Sequence, residues 1–390
     1  MFIVAKIASI LEGIMEIKRD LYLDKLIARK HNGLIKVVTG IRRCGKSYLL
    51  NTLFYSHLKA SGVPDDHIVK FAFDSADDLL MIGENLIKLE KSKKRVDPEK
   101  FMAYIRSKVV DNQMHYLLLD EVQLLDCFEA VLNGYLRKEN MDVYVTGSNA
   151  KFLSKDIITE FAGRGDEIHM YPLSFAEFMT AYSGDKYAGL SEYMLYGGIP
   201  LVVLRNGANE KSTALQSLFD EIYIRDIEKR NKIRNTGELE DLLNILSSSI
   251  GSLTNPEKLS NTFKTVKKSK ITATTIRKYL GYLEDSFLIE STQRYDIKGR
   301  NYIETPRKYY FSDLGLRNAR INFRQFEQTH SMENVIYNEL RMRGYNVDVG
   351  VVPVAERDAN GKIVRKQLEV DFVCNMGSLR YYIQSAYSLP

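Results

Sequence analysis

The chain has 390 residues, of which 45% are hydrophobic and 27% are charged, with only 8 prolines. At roughly 100–200 residues per domain, this length predicts two or three domains that each bury a core. The composition argues against a disordered or collagen-like chain. The 55 Lys and Arg residues against 50 Asp and Glu residues give a net charge of +5, which permits an acidic partner without requiring one.

The three cysteines are odd in number and far apart, which excludes a disulfide framework and favours a reducing compartment. We therefore expect a cytoplasmic protein. No apolar run reaches the ~18–20 residues of a membrane span, so no membrane partner is expected. Residues 1–14 lack the features of a signal peptide, and Met15 opens a cleaner amphipathic helix. The strand-like ending RYYIQSAYSLP leads us to expect that the natural chain continues.

The N-terminal part of the chain alternates short apolar strands with helical segments. Apolar and β-branched stretches predict strands at 34–39, 68–73, 115–120 and 142–147. Strands that are almost continuously apolar are typical of a parallel sheet covered by helices on both faces. The expected fold class is therefore α/β, with a doubly wound parallel core over residues 15–173.

The rest of the chain divides into three predicted segments. Amphipathic helical patterns over residues 174–235 predict a helical lid on the core. Three helices and a β-hairpin over residues 236–312 predict a winged helix. One helix followed by three strands over residues 313–390 predicts a small α/β domain that is truncated at its end.

A phosphate-binding loop is predicted between the first strand and the following helix, where the chain reads GIRRCGKS. This sequence matches G-x-x-x-x-G-K-[ST], in which glycines let the backbone wrap phosphate oxygens at a helix N-terminus. Lys46 is expected to bridge the terminal phosphates during catalysis, and the Ser47 hydroxyl to hold Mg²⁺. The residues expected to bind ATP are Gly40, Arg43, Cys44, Gly45, Lys46, Ser47 and Tyr48.

A pair of carboxylates stands at the carboxyl end of the third predicted strand, in the sequence YLLLDE. The carboxyl ends of parallel strands meet at one edge of the sheet, so both acids are expected to face the phosphate loop. We expect Asp120 to position Mg²⁺ and Glu121 to orient or deprotonate the attacking water.

Two further polar positions are candidates for the same reaction. Ser148 or Asn149, after the fourth strand, would contact the γ-phosphate or the lytic water, although a capped turn explains these residues equally well. Arg164 lies just before the next strand and would act as an arginine finger, either within the chain or from a neighbouring subunit. A surface arginine is the alternative.

The motifs GIRRCGKS, LLLDEVQ, VTGSNAKFLSKDI, FAGRGDEIHMYPLSFAEF, YGGIP and EVDFV together resemble a known family. They are similar to prokaryotic AAA-type ATPases of the MNS/STAND-related group, over nearly the whole chain from Met15. The resemblance implies a P-loop core, a winged helix and a C-terminal restriction-endonuclease-like domain of unknown function. It also places Gln123 and Arg164 at signature positions.

Basic residues are concentrated in the predicted winged helix. Between Asn255 and Lys308, twelve Lys and Arg residues stand against six Asp and Glu residues. Such a surplus at a helix and a wing would grip phosphates, which favours DNA as a partner. A packed module that binds another protein, or a second copy of the chain, is the alternative.

The C-terminal segment resembles the PD-(D/E)-x-K nuclease pattern, with Glu333 on a helix, Asp371 in a strand and Gln384 in the next strand. In that chemistry acids bind Mg²⁺ and a lysine stabilises the developing charge. The lysine position holds Ala386, so we expect this segment to have the fold without cleaving DNA.

The sequence thus predicts a Mg²⁺-dependent ATPase that acts as a nucleotide-driven switch linked to nucleic acid. A weakly hydrolysing, ATP-bound scaffold that recruits proteins through its C-terminal half is the alternative. A nuclease gated by ATP is a third hypothesis, and Ala386 argues against it.

Overall fold

The computed structural model describes residues 17–147, 163–233, 235–325, 327–357 and 363–387. The chain divides into two compact units, an N-terminal unit Lys18–Met170 and a C-terminal unit that begins at Tyr171. The limits of the N-terminal unit lie within three residues of 15 and 173, the limits expected for the core. Within the described ranges, no helix is both long enough and apolar enough to span a bilayer.

The N-terminal unit is built on a parallel five-stranded sheet with the order β2-β3-β4-β1-β5. Its strands are β1 Ile35–Thr39, β2 Ile68–Ala72, β3 His115–Asp120, β4 Met141–Thr146 and β5 Gly165–His169. Its described helices are α1 Asp20–Ala28, α2 (Lys46–Tyr48, π-helical Leu49–Phe54, Tyr55–Ala60), α3 Ala76–Met81, α4 Leu86–Ser92, α5 Pro98–Lys108 and α6 Phe128–Tyr135. The expected α/β fold class with a parallel core is confirmed.

The central strands are buried along their whole length, as a parallel sheet with two covered faces requires. They also contain a buried ion pair between Lys36 of β1 and Asp142 of β4. The Lys36 ammonium donates to the carbonyl oxygen of Leu34 at 3.0 Å. The other carboxylate oxygen of Asp142 accepts from the Tyr144 hydroxyl at 2.8 Å and the His31 amide at 3.1 Å. Every charge in this network therefore has a partner.

The C-terminal unit combines helices with a six-stranded sheet of order β11-β10-β9-β7-β8-β6. Its helices are α7 Phe175–Thr180, α8 Lys186–Tyr196, α9 Pro200–Val203, α10 (Ala208–Ser217, π-helical Leu218–Ile224, Arg225–Asn231), α11 Thr236–Ser248, α12 Pro256–Val266, α13 Ala273–Asp285, α14 Leu314–Arg320 and α15 Gln328–Met342. Its strands are β6 Leu253–Thr254, β7 Ile289–Asp296, β8 Asn301–Phe311, β9 Asn346–Arg357, β10 Ile363–Met376 and β11 Leu379–Ile383.

The hairpin β7–β8 and the last three strands belong to one sheet. Strand β7 pairs antiparallel with β8 on one side and parallel with β9 on the other, where Arg294 is opposite Val349. The expected boundary between residues 312 and 313 therefore does not coincide with a break in the sheet. The expected segments 174–235, 236–312 and 313–390 all lie in one compact unit. The pairing of β7 with β9 joins the second of these segments to the third.

The YGGIP motif forms a turn that binds a buried carboxylate. Gly197 has a φ of 73°, and a Cβ at this position would collide with the Asp313 carboxylate. Asp313 accepts from the amide of Gly198 at 2.7 Å and caps α14 by accepting from the Leu316 amide at 3.1 Å. Burial raises the pKa of Asp313 to about 6, although these amides oppose the shift.

Candidate nucleotide site

The phosphate loop follows β1 and has the backbone that its glycines allow. Gly40 and Gly45 have φ values of 134° and 103°, in the region that favours glycine. A Cβ at Gly40 would overlap the carbonyl oxygen of Met170, the residue that follows β5. Arg43, between the two glycines, has a φ of 65° and an exposed side chain. The loop therefore depends on glycine at position 40 for close packing as well as for conformation.

The side chains at the start of α2 point back to this loop. The Lys46 ammonium is buried and donates to the carbonyl oxygens of Gly40 at 2.9 Å and Ile41 at 3.0 Å. The Ser47 hydroxyl interacts with the Asp120 carboxylate and lowers the pKa of that carboxyl group. The start of α2 and the end of β3 thus lie close together. Tyr48, by contrast, is 40% exposed.

Thr146, the last residue of β4, connects Asp120, the last residue of β3, with Glu121, the residue after it. Its hydroxyl donates to Asp120 and accepts from the Glu121 amide, the latter at 3.0 Å. Glu121 has a φ of 53°, a left-handed conformation that costs a residue with a Cβ roughly 1–2 kcal/mol. The Gln123 side-chain amide donates to the Glu121 carboxylate. Backbone and side chain of Glu121 are therefore both held in place at the carboxyl edge of the sheet.

The acids at this edge repel one another. Burial raises the pKa of Asp120, and Thr146, Ser47 and the charge of Lys46 oppose the shift. Asp74, close to the end of β2, also has a raised pKa. The main cause is partial burial of its carboxyl group, and the negative charges of Asp120 and Glu121 add to it. A cation among these groups would relieve the repulsion, and oxygen donors of this kind are the ligands that Mg²⁺ prefers. The donor set therefore fits the expected Mg²⁺.

The structure does not bring Arg164 to the phosphate loop. Strands β1 and β5 are parallel with Ile35 opposite Gly165, so Arg164 lies at the amino edge of the sheet. The five residues of β1, at about 3.3 Å each, separate this edge from the loop, a distance of roughly 17 Å along the strand. The expectation of an arginine finger acting within the same chain is therefore not supported. Ser148 and Asn149 lie outside the described residues.

Three residues at the site were missed by sequence reasoning. Arg19 precedes α1 and donates from Nη1 to the carbonyl oxygen of the buried Cys44 at 2.9 Å. Asp74 adds a third carboxylate, and Thr146 holds the other two. A polar residue just after a predicted buried strand was a signal for Asp74, and a polar residue near the end of one was a signal for Thr146. No local pattern connects Arg19 to a loop 25 residues away.

In the C-terminal unit, the acids of the nuclease-like pattern have other partners. Glu333 accepts from the Lys308 ammonium at 2.9 Å and the Tyr310 hydroxyl at 2.6 Å. Asp371 accepts from the Gln384 side-chain amide at 2.8 Å. Among the described residues of this unit, no three His, Cys, Asp or Glu side chains are close enough to share an ion.

Comparison with known proteins gives two family models and two relatives. A model described as an AAA domain matches residues 32–179, and a domain of unknown function (DUF8612) matches residues 187–327. A Haemophilus influenzae protein described as uncharacterized is 35% identical and aligns with 96% of this chain and 88% of its own length. A Methanocaldococcus jannaschii protein described in the same way is 28% identical over 96% of this chain and 78% of its own.

Among solved structures, the Aeropyrum pernix ORC2 protein (ADPNP-ADP complexes) is 13% identical with a TM-score of 0.38, covering 78% of this chain and 91% of its own. A TM-score this low carries no inference about function. The H. influenzae relative, by contrast, covers almost the whole chain at substantial identity, and the AAA-domain model spans the phosphate loop and both acids of the site. The chain therefore belongs to the same family as the H. influenzae protein, and its N-terminal part is a P-loop domain of the AAA type.

Proposed function

We propose that this protein hydrolyses ATP in a Mg²⁺-dependent reaction at the carboxyl edge of the parallel sheet. The observation that carries the proposal is the convergence of the loop residues Lys46 and Ser47, which both lower the pKa of Asp120, with Asp120 and Glu121, which are joined by hydrogen bonds through Thr146. A phosphate loop alone supports nucleotide binding. The acids placed against it add the groups that hydrolysis requires.

Each residue has a distinct role in this proposal. The loop amides bind phosphate oxygens, and Lys46 exchanges its bonds to loop carbonyls for bonds to the terminal phosphates. Ser47 and Asp120 would hold Mg²⁺, which would supply positive charge to the phosphates. Glu121 accepts a proton from the water that attacks the γ-phosphorus, and ADP and phosphate are released. The hydrogen bond from Gln123 keeps the Glu121 carboxylate in one orientation.

The test is ATP turnover and ATP binding by the wild type and Lys46→Ala, with Mg²⁺ and with a chelator. We expect turnover only with Mg²⁺ and none in Lys46→Ala. Lys88→Ala is the matched control, because Lys88 is an exposed lysine of the same unit outside the site. Unchanged turnover in Lys46→Ala would refute the proposal. Tight ATP binding without turnover in the wild type would favour the scaffold hypothesis instead.

We also propose that the segment from α11 to β8 is a winged helix that binds DNA. Its elements follow the order helix, strand, helix, helix, hairpin, and β6 pairs with β8. Fewer basic residues can contact DNA phosphates than the sequence count suggests. Lys308 and Arg294 are buried, and Lys267 forms an ion pair with Asp241. The other exposed lysines of the segment are Lys258, Lys264, Lys268, Lys270, Lys278 and Lys298.

DNA binding is tested by titrating a labelled duplex with the full chain at several salt concentrations. Replacing Lys268 and Lys270 with alanine should lower the affinity and reduce the slope of log K against log salt by about 2, because each lost phosphate contact removes ~0.9. Lys91→Ala with Lys94→Ala removes the same charge from the other unit and should change little. No binding at low salt, or an equal effect of both pairs, would favour a protein partner.

For the C-terminal sheet we propose the nuclease-like fold without DNA cleavage. Support comes from Ala386 at the lysine position and from Glu333 being engaged by Lys308 and Tyr310. Arg164 remains a candidate finger only for the site of a neighbouring subunit in a homo-oligomer, since it lies exposed at the amino edge of the sheet. A cytoplasmic location stays a proposal that rests on the free cysteines.

A further inference from the structure

Two histidines and an aspartate meet at the amino edge of the parallel sheet, opposite the phosphate loop. His67 directly precedes β2 and His115 begins β3, and the parallel register that pairs Ile68 with Tyr116 makes these histidines neighbours. Their ring centroids are 4.6 Å apart. Asp111 lies in the loop before β3, and one ligand atom from each of the three side chains lies within 4.8 Å of the others.

Hydrogen bonding orients all three side chains toward a common point. Nδ1 of His115 is 2.8 Å from the carbonyl oxygen of Gln113, and a carbonyl can only accept, so this nitrogen carries the proton. Nε2 then presents its lone pair. The Asp111 carboxylate is fixed by the Gln113 amide, which donates to it at 2.8 Å, and its other oxygen lies 3.2 Å from Nε2 of His67.

The electrostatics of this arrangement call for a cation. His115 is fully buried, and its Nε2 has no hydrogen-bond partner. An oxygen of the Asp111 carboxylate lies 3.9 Å from this nitrogen, so a nitrogen lone pair faces a carboxylate. Two acceptors that face each other with no proton between them are unfavourable, the more so because the His115 nitrogen is buried. A metal ion between them turns this repulsion into two ligand bonds.

We propose that His67, Asp111 and His115 bind a Zn²⁺ ion that fastens β2 to β3 at the amino edge of the sheet. Two imidazoles and one carboxylate suit Zn²⁺ better than the oxygen-seeking Mg²⁺ or Ca²⁺. Tetrahedral ligands about 2.0–2.1 Å from Zn²⁺ lie about 3.4 Å apart. Here one Asp111 oxygen is 3.2 Å from Nε2 of His67, and the other oxygen is 3.9 Å from Nε2 of His115. The bond from His115 to the Gln113 carbonyl is the outer contact that metal-binding histidines usually make.

The position of the site defines its role. Asp111 is exposed, so the ion can enter from solvent, and water can complete the coordination. The ion would stabilise the N-terminal unit without contacting the phosphate loop. In the part of the chain that the structure describes, no other three His, Cys, Asp or Glu side chains come equally close, and the prediction concerns one ion per chain.

The test is calorimetric titration of Zn²⁺ into the metal-stripped full chain, in excess Mg²⁺ so that the acids near Ser47 are occupied. We expect one Zn²⁺ site, and a loss of affinity of tenfold or more in Asp111→Asn, whose side chain is exposed and whose fold should persist. Asp66→Asn, an exposed neighbour of His67, is the matched control and should bind like the wild type.

Thermal unfolding gives a second readout that is independent of ATP. At free Zn²⁺ 100 times the Kd, the midpoint for the wild type should rise by roughly 5–10 °C, and the rise should be absent in Asp111→Asn. His67→Gln should behave like Asp111→Asn. The proposal is overturned if Zn²⁺ does not bind, or if it binds Asp111→Asn as tightly as Asp66→Asn.

Discussion

Thr146 determines how the two acids of the site are presented, because one hydroxyl group satisfies both. It is fully buried, donates to Asp120 and accepts from the Glu121 amide. Thr146→Val keeps the shape but leaves this amide without a partner, so we expect a loss of about 1–3 kcal/mol in the free energy of unfolding and slower ATP hydrolysis. Urea unfolding and turnover assays measure both effects.

Thr146→Ser is the control for this prediction, since it removes a methyl group and keeps the hydroxyl. We expect Thr146→Ser to retain most of the turnover that Thr146→Val loses. Equal loss of turnover in the two variants would show that packing of the methyl group, rather than the hydrogen bonds, positions the acids.

Residues of the site differ in how far the sequence could predict them. Two short motifs, each made of consecutive residues, contain Lys46 with Ser47 and Asp120 with Glu121. Their proximity follows from the order of strand, loop and helix. The position of Arg164 could not be read in this way. A residue just before a strand lies at the amino edge of a parallel sheet, and this was apparent only once β5 was found to be parallel to β1.

At the scale of single elements, strand β1 contains a buried charged residue, Lys36, among apolar neighbours. Lys36 and Asp142 are both buried and pair across β1 and β4. Lys36→Met leaves the Asp142 carboxylate without its cation, which should cost about 3–5 kcal/mol in the free energy of unfolding. The double variant Lys36→Met with Asp142→Asn should cost less than Lys36→Met alone. Urea unfolding of the single and double variants tests this, and a double variant less stable than Lys36→Met would contradict it.

The turn at Gly197 and Gly198 makes stability depend on pH through Asp313. Its pKa is raised by burial from 3.8 to about 6, so between these values the folded state holds a proton that the unfolded chain has released. Stability from this group is therefore greatest at low pH and falls as pH rises from about 4 to 6. The difference between these two pKa values corresponds to about 3 kcal/mol in the free energy of unfolding.

The readout for Asp313 is the difference in free energy of unfolding between the wild type and Asp313→Asn, measured by urea unfolding from pH 4 to 7. Because asparagine does not titrate, this difference should fall with rising pH and then level off. A difference that is independent of pH, or that increases with pH, would show that the carboxylate is better stabilised by the amides of Gly198 and Leu316 than its burial implies.

For the molecule as a whole, the sequence predicted elements better than their assembly. Apolar runs marked four of the five strands of the core to within one residue at each end, because parallel strands bury both faces. The C-terminal strands were also anticipated. The pairing of β7 with β9 was not, since residues 294 and 349 are far apart in the chain and no local pattern encodes which edges meet. For the same reason, the proximity of His67 and His115 could not be predicted from the sequence.

The central claim is that the acids beside the phosphate loop make this AAA-type protein hydrolyse the ATP it binds. The most direct test is single-turnover hydrolysis of prebound ATP by the wild type, Glu121→Gln and the exposed control Glu139→Gln, with bound nucleotide measured in parallel. We predict that Glu121→Gln retains ATP and hydrolyses it roughly 10²–10⁴ times more slowly, as expected for loss of a general base, whereas Glu139→Gln matches the wild type. Hydrolysis by Glu121→Gln at the wild-type rate would contradict the account.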